Sequence, residues 1–120
     1  MLLALKVVVG LIALLHVWTV ILEMVLWTHP IGRRVFGTTA EVAASSAVLA
    51  KNQGLYNGFL VVALGLGVAL PEPLGNAFRL FALGCVFVAG VYGGLTAKKS
   101  ILLFQALPAA IGLVLAYLAA

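Results

Sequence analysis

The sequence predicts an all-α integral membrane protein, a bundle of four transmembrane helices that forms a single domain over residues 1–120. Hydrophobic residues make up 65% of the chain and charged residues only 8%, whereas a soluble domain has about 25% charged residues. A helix of about 20 apolar residues spans a bilayer, and four such stretches occupy almost the whole chain. Strands are not expected, because an open sheet edge cannot lie in lipid and no barrel-type alternation is present.

The first helix is predicted over residues 2–27, because His29-Pro30 follows the long apolar run and proline disfavours helix at the residue before it. This run is too long for a signal peptide, and no small-residue cleavage site follows it. It is therefore interpreted as the first transmembrane helix, and the polar stretch after it is interpreted as a loop.

The second helix is predicted to be long, over residues 38–70. Thr38 and Glu41 have the spacing of a capping box, in which two side chains satisfy free amides of the first turn. Pro71 ends the helix. Its apolar part begins only near Leu55, so we expect the first turns to project into the cytoplasm.

The third and fourth helices are predicted over residues 76–97 and 101–119, with the basic turn Lys98-Lys99 between them. Pro108 lies inside the fourth helix. Proline lacks an amide hydrogen and clashes with the preceding turn, so a kink is expected there.

The basic residues predict the orientation of the bundle. Lys6 and Arg79 lie on one side of the predicted membrane, and the other five lie on the opposite side: Arg33, Arg34, Lys51, Lys98 and Lys99. Cytoplasmic loops carry the excess of basic residues. We therefore expect a multi-pass protein of the cell's inner membrane with both termini outside. The bilayer is its predicted partner, and such scattered charges do not indicate nucleic-acid binding.

The polar residues within the spans concentrate at one depth. His16 and Glu23 are seven residues apart and share a helix face. The predicted topology places them in or next to the cytoplasmic leaflet together with polar residues of the other helices, whereas the outer half of the bundle is almost all apolar. We predict a cytoplasmic-leaflet cavity lined by these side chains: His16, Glu23, Asn52, Gln53, Tyr56, Asn57, Tyr92 and Gln105.

Glu23 is the candidate acid–base group or charge partner of this cavity, and His16 is a candidate proton relay. An ionisable group at membrane depth is costly and usually faces the bundle interior with a partner. The predicted donors to Glu23 are amides and a phenol: Asn52, Gln53, Tyr92 and Gln105. Taken singly, each polar residue is explained as well by helix packing or by the membrane interface. Their convergence favours a site.

Other chemistries find no support in the sequence. There is no His/Cys cluster for a metal, no Ser/His/Asp set, no phosphate-binding glycine loop and no haem motif, and no cofactor is identified. The single cysteine, Cys85, cannot form an intrachain disulfide and is interpreted as a packing residue.

Three functions remain open from the residues alone. The first is binding or modification of a small amphiphilic or lipid-like molecule in the cavity, and whether catalysis occurs is undecided. The second is proton-coupled export, with Glu23 exchanging a proton for a cationic substrate. The third is a structural bundle without a site. A homo-oligomer is expected in each case, because four short helices enclose little volume.

Three stretches carry a resemblance to a known family. The most specific is the Asn-Gln-Gly-x-Tyr-Asn run at residues 52–57, preceded by His16 and Glu23, and the others are residues 88–93 and 105–109. With them the chain resembles, over essentially its whole length, a bacterial and fungal family of small four-helix membrane proteins of unknown function. This resemblance implies a membrane protein and supplies no activity.

Two more distant resemblances concern architecture. The long second helix and the Gln105-Ala106-Leu107-Pro108 run resemble the membrane-associated proteins of eicosanoid and glutathione metabolism, which are four-helix homotrimers. This likeness favours a trimer over a dimer, although the glutathione motif of that family's second helix is missing here. The chain is also similar to small multidrug transporters in its length, four helices and a helix-one glutamate, Glu23.

Overall fold

A computed structural model describes all 120 residues, and every regular element in it is a helix. The elements in chain order are α1 (Leu2–Met24), α2 (Pro30–Phe36), α3 (Ala40–Ser45), α4 (Ala47–Ala69), α5 (Leu74–Thr96), a π-helical turn (Leu102–Ala106) and α6 (Leu107–Ala119). The prediction of an all-α protein without strands is thus confirmed.

Three helical segments are long and apolar enough to cross a membrane: Leu2–Met24, Leu74–Thr96 and Leu102–Ala119. They support the prediction of a membrane protein. Helix α4 is also 23 residues long but does not belong to this group, and its first half contains Lys51, Asn52, Gln53 and Asn57. The fourth membrane span therefore stays a prediction.

Helix α1 ends at Met24, three residues before the predicted end, and the predicted loop contains α2. The side chain of His29 accepts a hydrogen bond from the amide of Ile31, Pro30 occupies the first turn, and Gly37 ends the helix with φ 66°. Proline is well suited to a first helical turn, where an amide would be unpaired anyway. Pro30, which the sequence predicts as a helix stop, therefore also starts a helix.

The predicted long helix over residues 38–70 is divided at Ser46 into α3 and α4. The hydroxyl of Ser46 donates to the carbonyl of Val42 at 2.6 Å, and such side-chain bonds compete with the helical pattern. The helix cap also differs, because Thr39 and not Thr38 accepts from the amide of Val42. The Thr38–Glu41 capping box is not formed.

The fourth predicted helix has an irregular start. The amide of Leu107 donates to the carbonyl of Leu102, five residues back, and closes a π-helical turn. Pro108 follows at once and has no amide to donate, so the α-helical pattern cannot continue through this point. A π turn thus precedes Pro108, and the kink expected at this proline stays a prediction.

The chain forms two compact units, residues 1–14 with 60–120 and residues 15–59. In the larger unit, aliphatic side chains make up the buried core: Leu5, Val9, Ile12, Ala63, Leu64, Ala82, Leu83, Val86, Ala109 and Ala116. Gly90 lies against the π turn, and a Cβ atom built there would be 2.5 Å from the Ala106 amide nitrogen. Glycine at this position therefore allows two backbones to approach closely.

In the smaller unit, the end of α1 packs against α2. The rings of Trp27 and Phe36 have centroids 4.7 Å apart, and Gly32 lies against the carbonyl of Leu26 so closely that no side chain would fit. The indole of Trp27 also donates to the hydroxyl of Ser46 at 3.0 Å. The α3–α4 break is thereby tied to the end of α1.

Candidate functional site

A buried carboxyl–amide pair lies within the smaller unit. The side chain of Glu23, near the end of α1, is only 7% exposed. One of its carboxylate oxygens accepts a hydrogen bond from the side-chain amide of Asn57 in α4 at 2.5 Å. The pair links residues 34 positions apart in the chain. Hydrogen bonds accepted by an ionised carboxylate are among the stronger hydrogen bonds in proteins.

Helical spacing on α4 explains why Asn57 reaches Glu23. Ala50 and Gly54 are buried and Asn57 is half-buried, so the three form one stripe at i, i+4 and i+7. A Cβ atom at Gly54 would lie 3.2 Å from the Cβ of Glu23. The glycine thus brings α4 close to α1 next to the carboxyl group.

His16 lies on the same helix as Glu23, two turns earlier, and is 3% exposed. The residue has an interaction within the protein, so it is not without a partner. The prediction that His16 faces an interior rather than lipid agrees with this burial. Its role as a proton relay stays a prediction.

Three predicted site residues of α4 are exposed: Asn52, Gln53 and Tyr56. None of them bonds to Glu23, whose partner is Asn57. The ring of Tyr56 packs edge-on against Phe59, with centroids 5.7 Å apart. The sequence prediction grouped all four polar residues of this segment, but only the one on the buried stripe meets the carboxyl group.

Tyr92 and Gln105 belong to the larger unit. Tyr92 is 71% exposed, and Gln105 is half-buried in the π turn. Within the smaller unit, Asn57 supplies the bond to this carboxyl in place of Asn52 and Gln53, whereas donation by Tyr92 and Gln105 stays a prediction.

The larger unit holds a second polar cluster, which the sequence does not predict. The sequence predicts a membrane-flanking position for Arg79, but its side chain is 1% exposed. Its guanidinium donates to the carbonyl of Gly67 and to the carboxylate of Glu72, each at 2.5 Å. The other carboxylate oxygen accepts from the amide of Asn76 at 3.1 Å. This cluster ties the α4–α5 connection to both helices.

The Arg79 hydrogen bond lowers the pKa of the Glu72 carboxyl below its ordinary value and outweighs an opposing effect of desolvation, and the Arg79 charge, the Asn76 amide and the Lys6 charge lower it further. Glu72 thus stays ionised at neutral pH as the partner of a buried cation. The signal for this pair in the sequence is one arginine inside an apolar helix, with a glutamate seven residues earlier at the helix start.

A family model described as a protein of unknown function, DUF1304, matches residues 10–117. The chain belongs to the DUF1304 family. The prediction of a family of unknown function is confirmed, and the match includes Glu23, Asn57 and Arg79. No curated protein matches the DUF1304 chain, and no solved structure matches it. The distant resemblance to eicosanoid and glutathione proteins stays a prediction.

The Glu23–Asn57 pair of this DUF1304 protein has a limited chemical repertoire. Asn57 satisfies one carboxylate oxygen, and the other keeps acceptor capacity for a donor or cation. A single carboxyl beside an amide suits binding, charge pairing or proton exchange. Acid–base catalysis would require a substrate held within hydrogen-bond reach of Glu23.

Proposed function

We propose that this DUF1304 protein is a membrane protein in which the Glu23–Asn57 pair binds the polar group of a small amphiphilic or lipid-like molecule. The observation that carries the proposal is Glu23, an acidic residue that is only 7% exposed, within a helix apolar enough to span a membrane. An ionisable residue in such a place is costly and marks functional sites in membrane proteins.

The proposal includes the finer architecture. Helix α4, with 23 residues, supplies the fourth span, the loops after α1 and α5 are cytoplasmic, and both termini lie outside. The asymmetry of the basic residues supports this orientation. The chain forms a homo-oligomer, a trimer in preference to a dimer, in the inner membrane.

The role of Glu23 is tested with two amphiphiles of equal chain length, dodecylamine and dodecanol, added to the detergent-purified protein. We expect dodecylamine to bind through Glu23. Glu23→Gln keeps the shape of the side chain but removes its charge, so this variant should not bind dodecylamine. Glu41→Gln removes an exposed glutamate of α3 and is the matched control.

Native mass spectrometry of the three proteins provides the readout, and size-exclusion chromatography confirms that each variant is folded. Equal dodecylamine binding by wild type and Glu23→Gln would reject the proposed site. If Glu23→Gln differs from wild type only in stability, the result would instead support a structural role for the Glu23–Asn57 pair.

The same buried carboxyl supports a second candidate function, proton-coupled export. A carboxyl that exchanges a proton for a cationic substrate would couple transport to a pH gradient. Proteoliposomes with an imposed gradient should then accumulate a cationic dye with wild type and not with Glu23→Gln. An absence of dye flux with wild type would count against export and leave the binding proposal standing.

A further inference from the structure

The α2 turn, defined as residues 30–38, is held against the end of α1. Gly32 lies against the carbonyl of Leu26, and Phe36 packs on Trp27. Helix α1 has 23 residues, and at a rise of about 1.5 Å per residue it is longer than the hydrocarbon core of a bilayer is thick, about 30 Å. If α1 spans the membrane, the α2 turn lies at the boundary between hydrocarbon and water.

One side of the α2 turn is apolar and unburied. Ile31 and Val35 are each 44% exposed, and their i, i+4 spacing places them on one face of α2. Phe36 is exposed as well. Apolar side chains of this kind at a membrane boundary are buried by acyl chains.

Two side-chain polar atoms of the same turn lack hydrogen-bond partners within the chain. The Nε atom of Arg33 and the hydroxyl of Thr38 are both buried without a hydrogen bond. The amide of Thr38 donates to the carbonyl of Arg33 at 3.0 Å, so both residues belong to one hydrogen-bonded turn. Arg34, next to Arg33, is exposed and also has no acidic partner.

We propose that the α2 turn binds an anionic phospholipid, with Arg33, Arg34 and Thr38 receiving the headgroup phosphate. Phosphate oxygens are acceptors that match an arginine fork and a hydroxyl donor. Ile31 and Val35 lie against the acyl chains of the same lipid. This lipid site requires that α1 spans the membrane, and it does not require that a ligand binds at Glu23.

The charge of the smaller unit favours an anionic partner. Residues 15–59 contain three basic side chains, Arg33, Arg34 and Lys51, and two acidic ones, Glu23 and Glu41. Glu23 is buried and bonded to Asn57, which leaves Glu41 as the single exposed acid. The basic residues of this unit are thus available to anionic headgroups.

The test uses nanodiscs that contain equal amounts of phosphatidylcholine and phosphatidylglycerol. After release, native mass spectrometry measures which lipid stays bound to the full-length protein. We expect the lipid that stays bound to wild type to be enriched in phosphatidylglycerol. In the Arg33→Gln/Arg34→Gln variant this enrichment should be lower by about tenfold. Lys98→Gln/Lys99→Gln removes the same charge elsewhere and is the matched control, expected to keep it.

Two single variants test the geometry. Arg33→Lys keeps the charge but removes the Nε donor, and we expect part of the enrichment to be lost. Arg34→Gln changes an exposed side chain, so it reports on the site even where the double variant does not fold. Retention of full enrichment by both single variants would overturn the proposal.

Two further results would also contradict it. Equal losses in the double variant and the Lys98/Lys99 control would show a general effect of charge. Displacement of the lipid by millimolar inorganic phosphate would show a site for free phosphate. Glu23→Gln is expected to keep the phosphatidylglycerol enrichment, which separates failure of this site from failure of the amphiphile site.

Discussion

A single hydrogen bond distinguishes Asn57 from the other polar residues of α4. Asn57 donates to the buried carboxylate of Glu23 at 2.5 Å, whereas Asn52 is exposed on the same helix. The two asparagines therefore offer a matched comparison of an amide that bonds across helices and an amide that does not.

We expect Asn57→Leu to lower the free energy of unfolding by about 1–2 kcal/mol, because the Glu23 carboxylate loses its donor inside the protein. Asn52→Leu should change it by less than about 0.5 kcal/mol. Unfolding in mixed micelles, followed by circular dichroism, measures both. Equal effects would show that the Glu23–Asn57 bond contributes no specific stability.

The Glu72–Arg79 pair makes stability depend on pH. Because the Arg79 hydrogen bond lowers the pKa of Glu72, the folded protein binds this proton less readily than the unfolded chain. The stabilisation is fully present above the unfolded pKa of Glu72, about 4.5, and is lost as the pH falls through the lower folded pKa.

We expect Glu72→Gln to remove the part of the pH dependence of stability that comes from the Glu72 carboxyl. Wild type should lose stability relative to Glu72→Gln as the pH falls from neutral to about 3, and thermal unfolding at several pH values measures the difference. Glu41→Gln, which changes an exposed glutamate of α3, should follow wild type. Parallel curves for wild type and Glu72→Gln would contradict a stabilising ion pair.

At the scale of helices, the packing of α5 depends on the glycine at Gly90 but not on the glycine at Gly84. A Cβ atom at Gly90 would lie 2.5 Å from the amide nitrogen and 2.8 Å from the Cα of Ala106. Backbone atoms cannot move aside as a flexible side chain can. A Cβ atom at Gly84 in the same helix would meet nothing within 4 Å.

We therefore expect Gly90→Ala to destabilise the protein by about 1–3 kcal/mol, the usual cost of overpacking. Gly84→Ala should be neutral or stabilising by up to about 1 kcal/mol, since alanine is the better helix former. Thermal unfolding of both variants in detergent measures this contrast. Tolerance of Gly90→Ala would mean that α5 and the π turn separate easily.

The breaks in the helices lie where local bonding competes with the regular pattern. Ser46 bonds its hydroxyl to Val42 and receives the indole of Trp27, and Pro108 follows the π turn. Pro108 is visible in the sequence as a break. Ser46 is not, because serine is common in helices and the decisive Trp27 contact comes from a residue 19 positions away.

At the scale of the whole molecule, the distribution of basic residues predicts one orientation. A Cys85→Ala background allows single cysteines to be placed at Thr39, Ser100 and Ala120. We expect a membrane-impermeant maleimide to label Ala120→Cys in intact cells. Thr39→Cys and Ser100→Cys should react only after permeabilisation, because the positive-inside rule places those loops in the cytoplasm. The reverse pattern would show the opposite orientation.

Composition and the hydrophobic pattern were sufficient to predict an all-α membrane protein. Lipid offers no hydrogen bonds to an exposed backbone, so a chain that is 65% hydrophobic and lacks barrel alternation must satisfy its backbone within helices. The sequence also indicated Glu23, His16 and Asn57 as members of a polar group, because polar residues in apolar spans are few.

Only the tertiary structure decided which polar groups meet. The rotation of α4 about its axis depends on Gly54 packing beside Glu23, and that rotation selects Asn57 over Asn52 and Gln53. Burial of Arg79 against Gly67 and Glu72 depends likewise on how the α4–α5 connection folds. Composition and periodicity describe each helix by itself, whereas a hydrogen bond between helices depends on their relative rotation and approach, which packing sets.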